Sequence, residues 1–240
     1  MVASTQGDWT PLIELRDVTK VYGTGQAAMQ ALAGIDLRID EGDFVAIMGH
    51  SGSGKSTCLN ILGCLDSPTA GSYRFRGVEV SQLTRDQRAR LRRYYLGFVF
   101  QGYNLLKRTS ALENVELPLI YRHVPARERH QAARQALASV GLTGWESHNS
   151  NELSGGQQQR VAIARAIVTG PSVLMADEPT GNLDSARSQE IMDLLCELNR
   201  AHGITIVMVT HEPDMAAHAH RIVRFKDGHI ESDEQNGRAH

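Results

Sequence analysis

Phe44-Val45-Ala46-Ile47-Met48-Gly49-His50-Ser51-Gly52-Ser53-Gly54-Lys55-Ser56-Thr57 is the stretch from which the rest of the chain can be read. Phe44 to Met48 is a short continuous apolar run, the pattern of a strand buried on both faces. Gly49 to Ser56 fits G-x-x-x-x-G-K-[ST] at every fixed position, and Cys58 to Leu65 beyond it reads as a helix. That strand and helix are the context the loop's mechanism requires. Its glycines let the backbone wrap so that successive N–H groups point at phosphate oxygens, and the helix N-terminus adds a favourable dipole. In this reading Lys55 reaches the β- and γ-phosphates and the Ser56 hydroxyl ligates Mg²⁺.

Upstream, Leu12 to Val18 and Ile35 to Ile39 alternate apolar with polar residues, as half-exposed antiparallel strands do. Downstream, Pro68, Gly71 and Gly77 break the chain around a short strand, Tyr73 to Arg76. Thr84 and Gln87 have capping-box spacing and predict a basic helix to about Arg93, followed by a buried strand, Leu96 to Phe100. From Asn104 to Val168 the character is helical. Pro125 to Val140 is the clearest segment, ended by Gly141 and Gly144. Val173 to Ala176 and Ile204 to Val209 return as buried strands around a helix from about Ser185 to Arg200. This alternation on both sides of a helical middle implies a parallel-sheet α/β core with a helical insertion. Ser232 to His240 reads as a disordered end.

Composition narrows the function classes. The 240 residues can bury a sizeable core, and 25 Lys+Arg against 27 Asp+Glu leave a formal net charge of -2. No strong global field holds such a chain on nucleic acid or an anionic membrane, so direct nucleic-acid binding is not expected. Cys58, Cys64 and Cys196 form no C-x-x-C pair, which argues against a zinc knuckle and for a reducing cytoplasm. No apolar run approaches the twenty residues of a spanning helix, and Met1 to Thr10 has no signal-type apolar region. A membrane span of its own and export are therefore not expected.

A magnesium site needs a second protein oxygen. Val173-Leu174-Met175-Ala176-Asp177-Glu178 supplies Asp177 for the metal after a buried strand, with Glu178 placed as general base toward an attacking water. Leu153-Ser154-Gly155-Gly156-Gln157 opens another helix. Ser154 and Gln157 have capping-box spacing, and Gly155 and Gly156 leave the helix start bare enough for a phosphate to approach. One chain already has a phosphate cradle, so a second anion-binding helix start implies a shared site.

These three motifs together resemble those of the ATP-binding-cassette (ABC) transporter ATPases, over about Leu12 to Ile230. The resemblance implies a P-loop NTPase (RecA-like) α/β core with an N-terminal antiparallel β subdomain and a helical ABC-specific insertion. It divides the single ATPase domain into a core at 12–101 and 170–230, a helical signature subdomain at 102–169 and a polar tail at 231–240. It also carries over further roles. Tyr22 matches the aromatic residue that stacks on adenine, although alone it reads as a core or turn tyrosine. Gln101 matches the glutamine that senses Mg²⁺ and the γ-phosphate, Asp184 the aspartate that communicates across a dimer, and His211 the histidine that contacts the γ-phosphate. The implied ATP site is thus Tyr22 and Gly49 to Thr57, completed in trans by Ser154, Gly155, Gly156, Gln157 and Asp184. Glu178, His211, Lys55 and Gln101 carry the chemistry, and Ser56, Gln101 and Asp177 hold Mg²⁺.

Within the family, Leu96 to Gln101, Glu113 to Leu119 and Ala176 to Asp184 look most like the macrolide-export and lipoprotein-release (MacB/LolD-type) group. The resemblance implies an ATP-sandwich dimer with a second copy of the chain and a separately encoded integral membrane permease, with or without a periplasmic adaptor. The chain is then peripheral on the inner face of the cell membrane. Gly102 to Pro118 is the expected permease contact, with plain subdomain packing as the alternative. The five arginines between Arg85 and Arg93 read as a solvated face or as groups that meet lipid or the partner. The leading function is ATP hydrolysis that drives a permease in export, lipoprotein extraction or mechanotransmission. The alternatives are a membrane-associated ATPase that regulates a cell-envelope or division partner, and a soluble ABC ATPase acting on nucleic acid.

Overall fold

In a parallel sheet covered on both sides every strand residue meets apolar neighbours, and the chain's continuous apolar runs form such a sheet. The structure is a computed structural model that describes residues 10–237, with Gln26 described by its backbone alone. The expectation for the leader region therefore falls almost wholly outside the described residues, as do the last three residues of the tail. In chain order the elements are β1 (Ile13–Tyr22), β2 (Met29–Ile39), β3 (Phe44–Gly49), α1 (Lys55–Leu62), β4 (Ala70–Phe75), β5 (Val78–Glu79), α2 (Arg85–Tyr95) and β6 (Leu96–Phe100). There follow α3 (Ala111–Tyr121), α4 (Ala126–Ser139), α5 (Gly155–Ile167), β7 (Val173–Asp177), α6 (Ser185–His202), β8 (Thr205–Val209), α7 (Pro213–Ala216), β9 (Arg221–Lys226) and β10 (His229–Gln235).

Six strands form one sheet in the order β10-β9-β3-β8-β7-β6, parallel except for the β9–β10 pair, and a second antiparallel sheet runs β2-β1-β4-β5. Alternate residues of β3 go to different cores. Val45 and Ile47 face α1 and the antiparallel sheet, with Leu15, Ile35 and Leu37, while Phe44, Ala46 and Met48 face the helical side, with Ile191, Leu195 and Ile163. β7 divides in the same way, Val173 and Met175 against Leu174 and Ala176. This two-sided burial is why these strands show no polar alternation.

The order β3-β8-β7 sets the site. Three parallel neighbours end on the same edge, so the turns after Gly49, Val209 and Asp177 lie side by side, where open α/β sheets bind ligands. The helices α3, α4 and α5 pack on one another, and α5 also packs on β6. Among the described residues, no helix is long and apolar enough to cross a membrane.

Several expectations need correction. Ser232 to Gln235 is strand, not a disordered end: β10 pairs with β9, Arg221 holds both Asp233 oxygens, and the Asn236 side chain donates to Ala217 O and Ala219 O at 2.8 Å each. The phosphate-loop helix starts at Lys55 and stops at Leu62, because Gly63 and Cys64 turn the chain, Cys64 at φ 55°. Gly71 lies inside β4 rather than before it. At φ 89° it passes a bulge of β1 at Asp17 (φ 47°), where an added Cβ would fall 2.3 Å from the Asp17 carbonyl oxygen. The helix of the Ser154 motif begins at Gly155 with Ser154 as its cap, as the capping-box spacing predicts.

Candidate nucleotide site

The loop between β3 and α1 is shaped by two glycines that nothing larger can replace. A Cβ on Gly49 (φ 148°) would lie 2.2 Å from the Phe225 carbonyl oxygen, and one on Gly54 (φ 104°) would lie 2.6 Å from the Ala31 carbonyl oxygen. Gly54 is also the N-cap of α1 and brings no side-chain acceptor, so the first N–H groups of the helix keep their donors for an anion. Ser53 is buried and its hydroxyl has no partner among the described residues. The Lys55 ammonium folds back on the loop, donating to Gly49 O at 2.7 Å and His50 O at 2.8 Å. Burial lowers its pKa, against the opposing pull of Glu178 and then Asp177, which places all three charges in one electrostatic neighbourhood.

Two further turns complete this edge. β7 ends at Asp177, whose carboxyl pKa is raised by burial and by the Glu178 charge, and lowered in part by Lys55. Glu178 follows in the left-handed region at φ 47°, fixed by its N–H to Val209 O at 2.9 Å. Its Oε1 lies 2.9 Å from His211 Nδ1, and its buried Oε2 has no partner among the described residues. That contact, by hydrogen bond and by charge, raises the His211 pKa above its usual value. Gly49, His50, Ser51, Gly52, Lys55, Ser56, Glu178 and His211 line one open cleft of about 830 Å³.

The cleft also has lining residues that the motifs did not reveal. Arg224, Lys226 and Glu231 close one side from β9 and β10. Their only sequence signal is the alternation of two basic residues on a strand next to the phosphate-loop strand. A magnesium ion asks for hard oxygen donors. The Ser56 hydroxyl and the Asp177 carboxylate are of that type: Ser56 lines the cleft, and Asp177 ends β7 directly before Glu178, with Lys55 favouring its charged form against burial and Glu178.

Other expected residues sit elsewhere. Gln101 follows β6 and turns to the loop after β7, with its Nε2 3.4 Å from Asn182 Oδ1 while Asn182 Nδ2 donates to Gln101 O at 2.9 Å. Ser154 to Gln157 do not line the cleft. Ser154 Oγ accepts from Gln157 N at 3.3 Å and Gln157 Oε1 accepts from Ser154 N at 2.9 Å, a complete capping box. A Cβ on Gly155 would come within 2.9 Å of the Tyr103 hydroxyl, whereas one on Gly156 would meet only the flexible Arg187 side chain, at 3.3 Å from its Cδ. Asp184 caps α6 through Arg187 N at 3.0 Å and pairs with the Arg187 guanidinium at 3.3 Å. Tyr22 is 37% exposed at the end of β1, with its hydroxyl 2.9 Å from Asp66 Oδ2.

Known proteins resemble this chain in sequence and fold. The family described as ABC transporter matches residues 32–181. The macrolide export ATP-binding/permease protein MacB of Marinobacter nauticus is 53% identical over 96% of this chain and 38% of its own length. The pyoverdine export ATP-binding/permease protein PvdT of Pseudomonas aeruginosa is 52% identical over 94% of this chain and 34% of its own. The chain thus spans little more than a third of these relatives. A dimeric post-hydrolysis state of the ATP-binding cassette MJ0796, bound to ADP and Pi, superposes with a TM-score of 0.85 at 46% identity, covering 93% of this chain and 98% of that one. On the family match over more than half of its residues and the identity of these relatives over most of its length, the chain belongs to the ABC transporter ATP-binding cassettes of the MacB/LolD-type group.

Proposed function

We propose that this chain hydrolyses ATP as one half of a head-to-tail dimer and passes the resulting motion to a membrane permease. The observation that carries the chemistry is the Glu178 carboxylate. One oxygen is held by His211 and the other is buried beside the phosphate cleft, without a partner among the described residues. Such an oxygen is placed to orient a water and take its proton as the water attacks the γ-phosphorus. Lys55 and the free N–H groups at the start of α1 neutralise charge on the phosphates, and His211 adds a donor near the γ-position. Ser56 and Asp177 would hold Mg²⁺, with Gln101 as a further expected ligand, and the ion would supply additional charge neutralisation.

The Ser154 to Gln157 helix start lies outside this cleft, so its phosphate contact requires a second copy, which brings Asp184 with it. The dimeric state of the MJ0796 cassette supports this pairing. For the permease, a groove of about 460 Å³ runs between β6 and the helices, lined by Phe98, Phe100, Asn104, Leu117, Pro118 and Tyr121 among others. It overlaps the expected contact at Gly102 to Pro118 and joins the core to residues 102–169, which act as the moving arm. The relatives' names join an ATP-binding part to a permease, which supports the same partner here.

The direct test is Glu178→Gln. This variant should bind ATP with the parent's affinity while turnover falls at least a hundredfold, as expected for loss of a general base. Parent-rate hydrolysis would remove Glu178 from the mechanism. Recovery of the chain with a multi-spanning protein supports the transport reading, and recovery with nucleic acid contradicts it.

A further inference from the structure

Lys20 and Tyr22 are two residues apart on β1 and project from the same face. Both are tied to Asp66, in the loop after α1. Asp66 Oδ1 accepts from Lys20 Nζ at 2.6 Å and from Ser67 N at 2.7 Å, and Oδ2 accepts from the Tyr22 hydroxyl at 2.9 Å. Lys20 also donates to Ser67 O at 2.8 Å, and only 12% of its side chain is exposed. Its ammonium lies 4.8 Å from the centroid of the Tyr22 ring, a cation–π contact that covers part of the ring while the tyrosine remains 37% exposed. The clamp loop is stitched to the same strand by Thr69, whose N–H donates to Thr19 O at 2.8 Å and whose hydroxyl accepts from Val21 N at 3.0 Å.

We propose that Asp66 and Lys20 are positioning residues that fix Tyr22 as a rigid platform for the nucleobase. The inference rests on the reading of Tyr22 as the base-stacking residue. Three groups meet on one carboxylate, so both side-chain torsions of the tyrosine are set before a base arrives, and stacking then costs little conformational entropy. Helix α1 starts at the phosphate loop and ends at the loop that carries Asp66. Its eight residues, about 12 Å long, make one stiff element answerable for both ends of the nucleotide. Burial of Asp66 raises its pKa, but the donors from Lys20, Ser67 and Tyr22 outweigh that effect and bring it below the usual carboxylate range, so the clamp is charged at neutral pH.

The test compares Tyr22→Ala, Asp66→Ala, Asp66→Asn and the Tyr22→Ala/Asp66→Ala double variant in the full chain. It measures KM for ATP, kcat, and competition by inorganic tripolyphosphate, which has no base. Tyr22→Ala should raise KM roughly tenfold, the scale of a lost base stack. Asp66→Ala should raise it about three- to tenfold with kcat within about twofold, the scale of freeing one hydrogen-bonded ring. Inhibition by tripolyphosphate should not change in either variant, and the double variant should be no worse than Tyr22→Ala alone. If Asp66→Ala folds poorly, Asp66→Asn keeps the shape, removes the charge and should show the same split. An unchanged KM in Tyr22→Ala overturns the stacking role and the platform together. An effect of Tyr22→Ala without one from Asp66, additivity in the double variant, or equal weakening toward tripolyphosphate overturns the platform alone.

Discussion

The starts of α1 and α5 are both glycine-lined helix N-termini, yet they are finished differently. α1 has Gly54 as its cap, offers no side-chain acceptor, and stands beside a lysine that already neutralises the loop's own carbonyl oxygens. α5 has a complete capping box in which Ser154 and Gln157 satisfy each other's N–H groups, and it lies away from the cleft. The first is built to take a phosphate by itself. The second is content without one, so it can serve as a ligand only when another surface brings the phosphate to it. A strong half-site and a self-satisfied half-site make nucleotide binding and pairing of two chains separable steps.

That contrast can be broken most severely at the first helix. Lys55→Ala removes the loop's charge and leaves the Gly49 and His50 carbonyl oxygens without their donor. ATP affinity, followed by nucleotide titration, should fall at least a hundredfold, since a charge-assisted phosphate contact in a partly buried site is lost. An alanine scan of the glycines sharpens the comparison. Gly49→Ala places a methyl 2.2 Å from a backbone oxygen at φ 148°, and should cost more than about 3 kcal/mol in chemical denaturation. Gly156→Ala meets only the flexible Arg187 side chain at 3.3 Å, within a helix that favours alanine, and should change stability by less than about 1 kcal/mol.

The smallest expected effect is a titration. The Glu178 contact raises the His211 pKa, so that contact stabilises the folded chain below the imidazole's ordinary pKa and weakens as pH rises through the raised value. In nucleotide-free protein, the His211 ring signals should titrate above pH 6.5, and Glu178→Gln should bring the midpoint down toward it. An unchanged midpoint would separate the two residues.

Much of this was legible in the sequence because the signals are local. The continuous runs of β3, β7 and β8 follow from burial on both faces, and the capping boxes at Thr84 and Ser154 need only a three-residue spacing. β10 was not legible. Its residues are nearly all polar and exposed, and it is held by backbone pairing and the Arg221–Asp233 contact rather than by an apolar face. The side-chain direction of Gln101 was equally hidden, since its partner Asn182 lies 81 residues away. The same holds for Asp66, which meets Tyr22 across 44 residues and belongs to no spacing pattern. Long-range polar pairs leave no periodic trace, whereas strands and caps do.

The claim that the nucleotide site is shared between two chains is tested most directly by sedimentation of Glu178→Gln and of Glu178→Gln/Ser154→Arg, each with saturating ATP and with nucleotide occupancy measured alongside. The account predicts that Glu178→Gln becomes a dimer with two ATP, while the double variant holds one ATP per chain and remains a monomer. Dimers of equal stability from both proteins, or a fully ATP-loaded Glu178→Gln that stays monomeric, would contradict it.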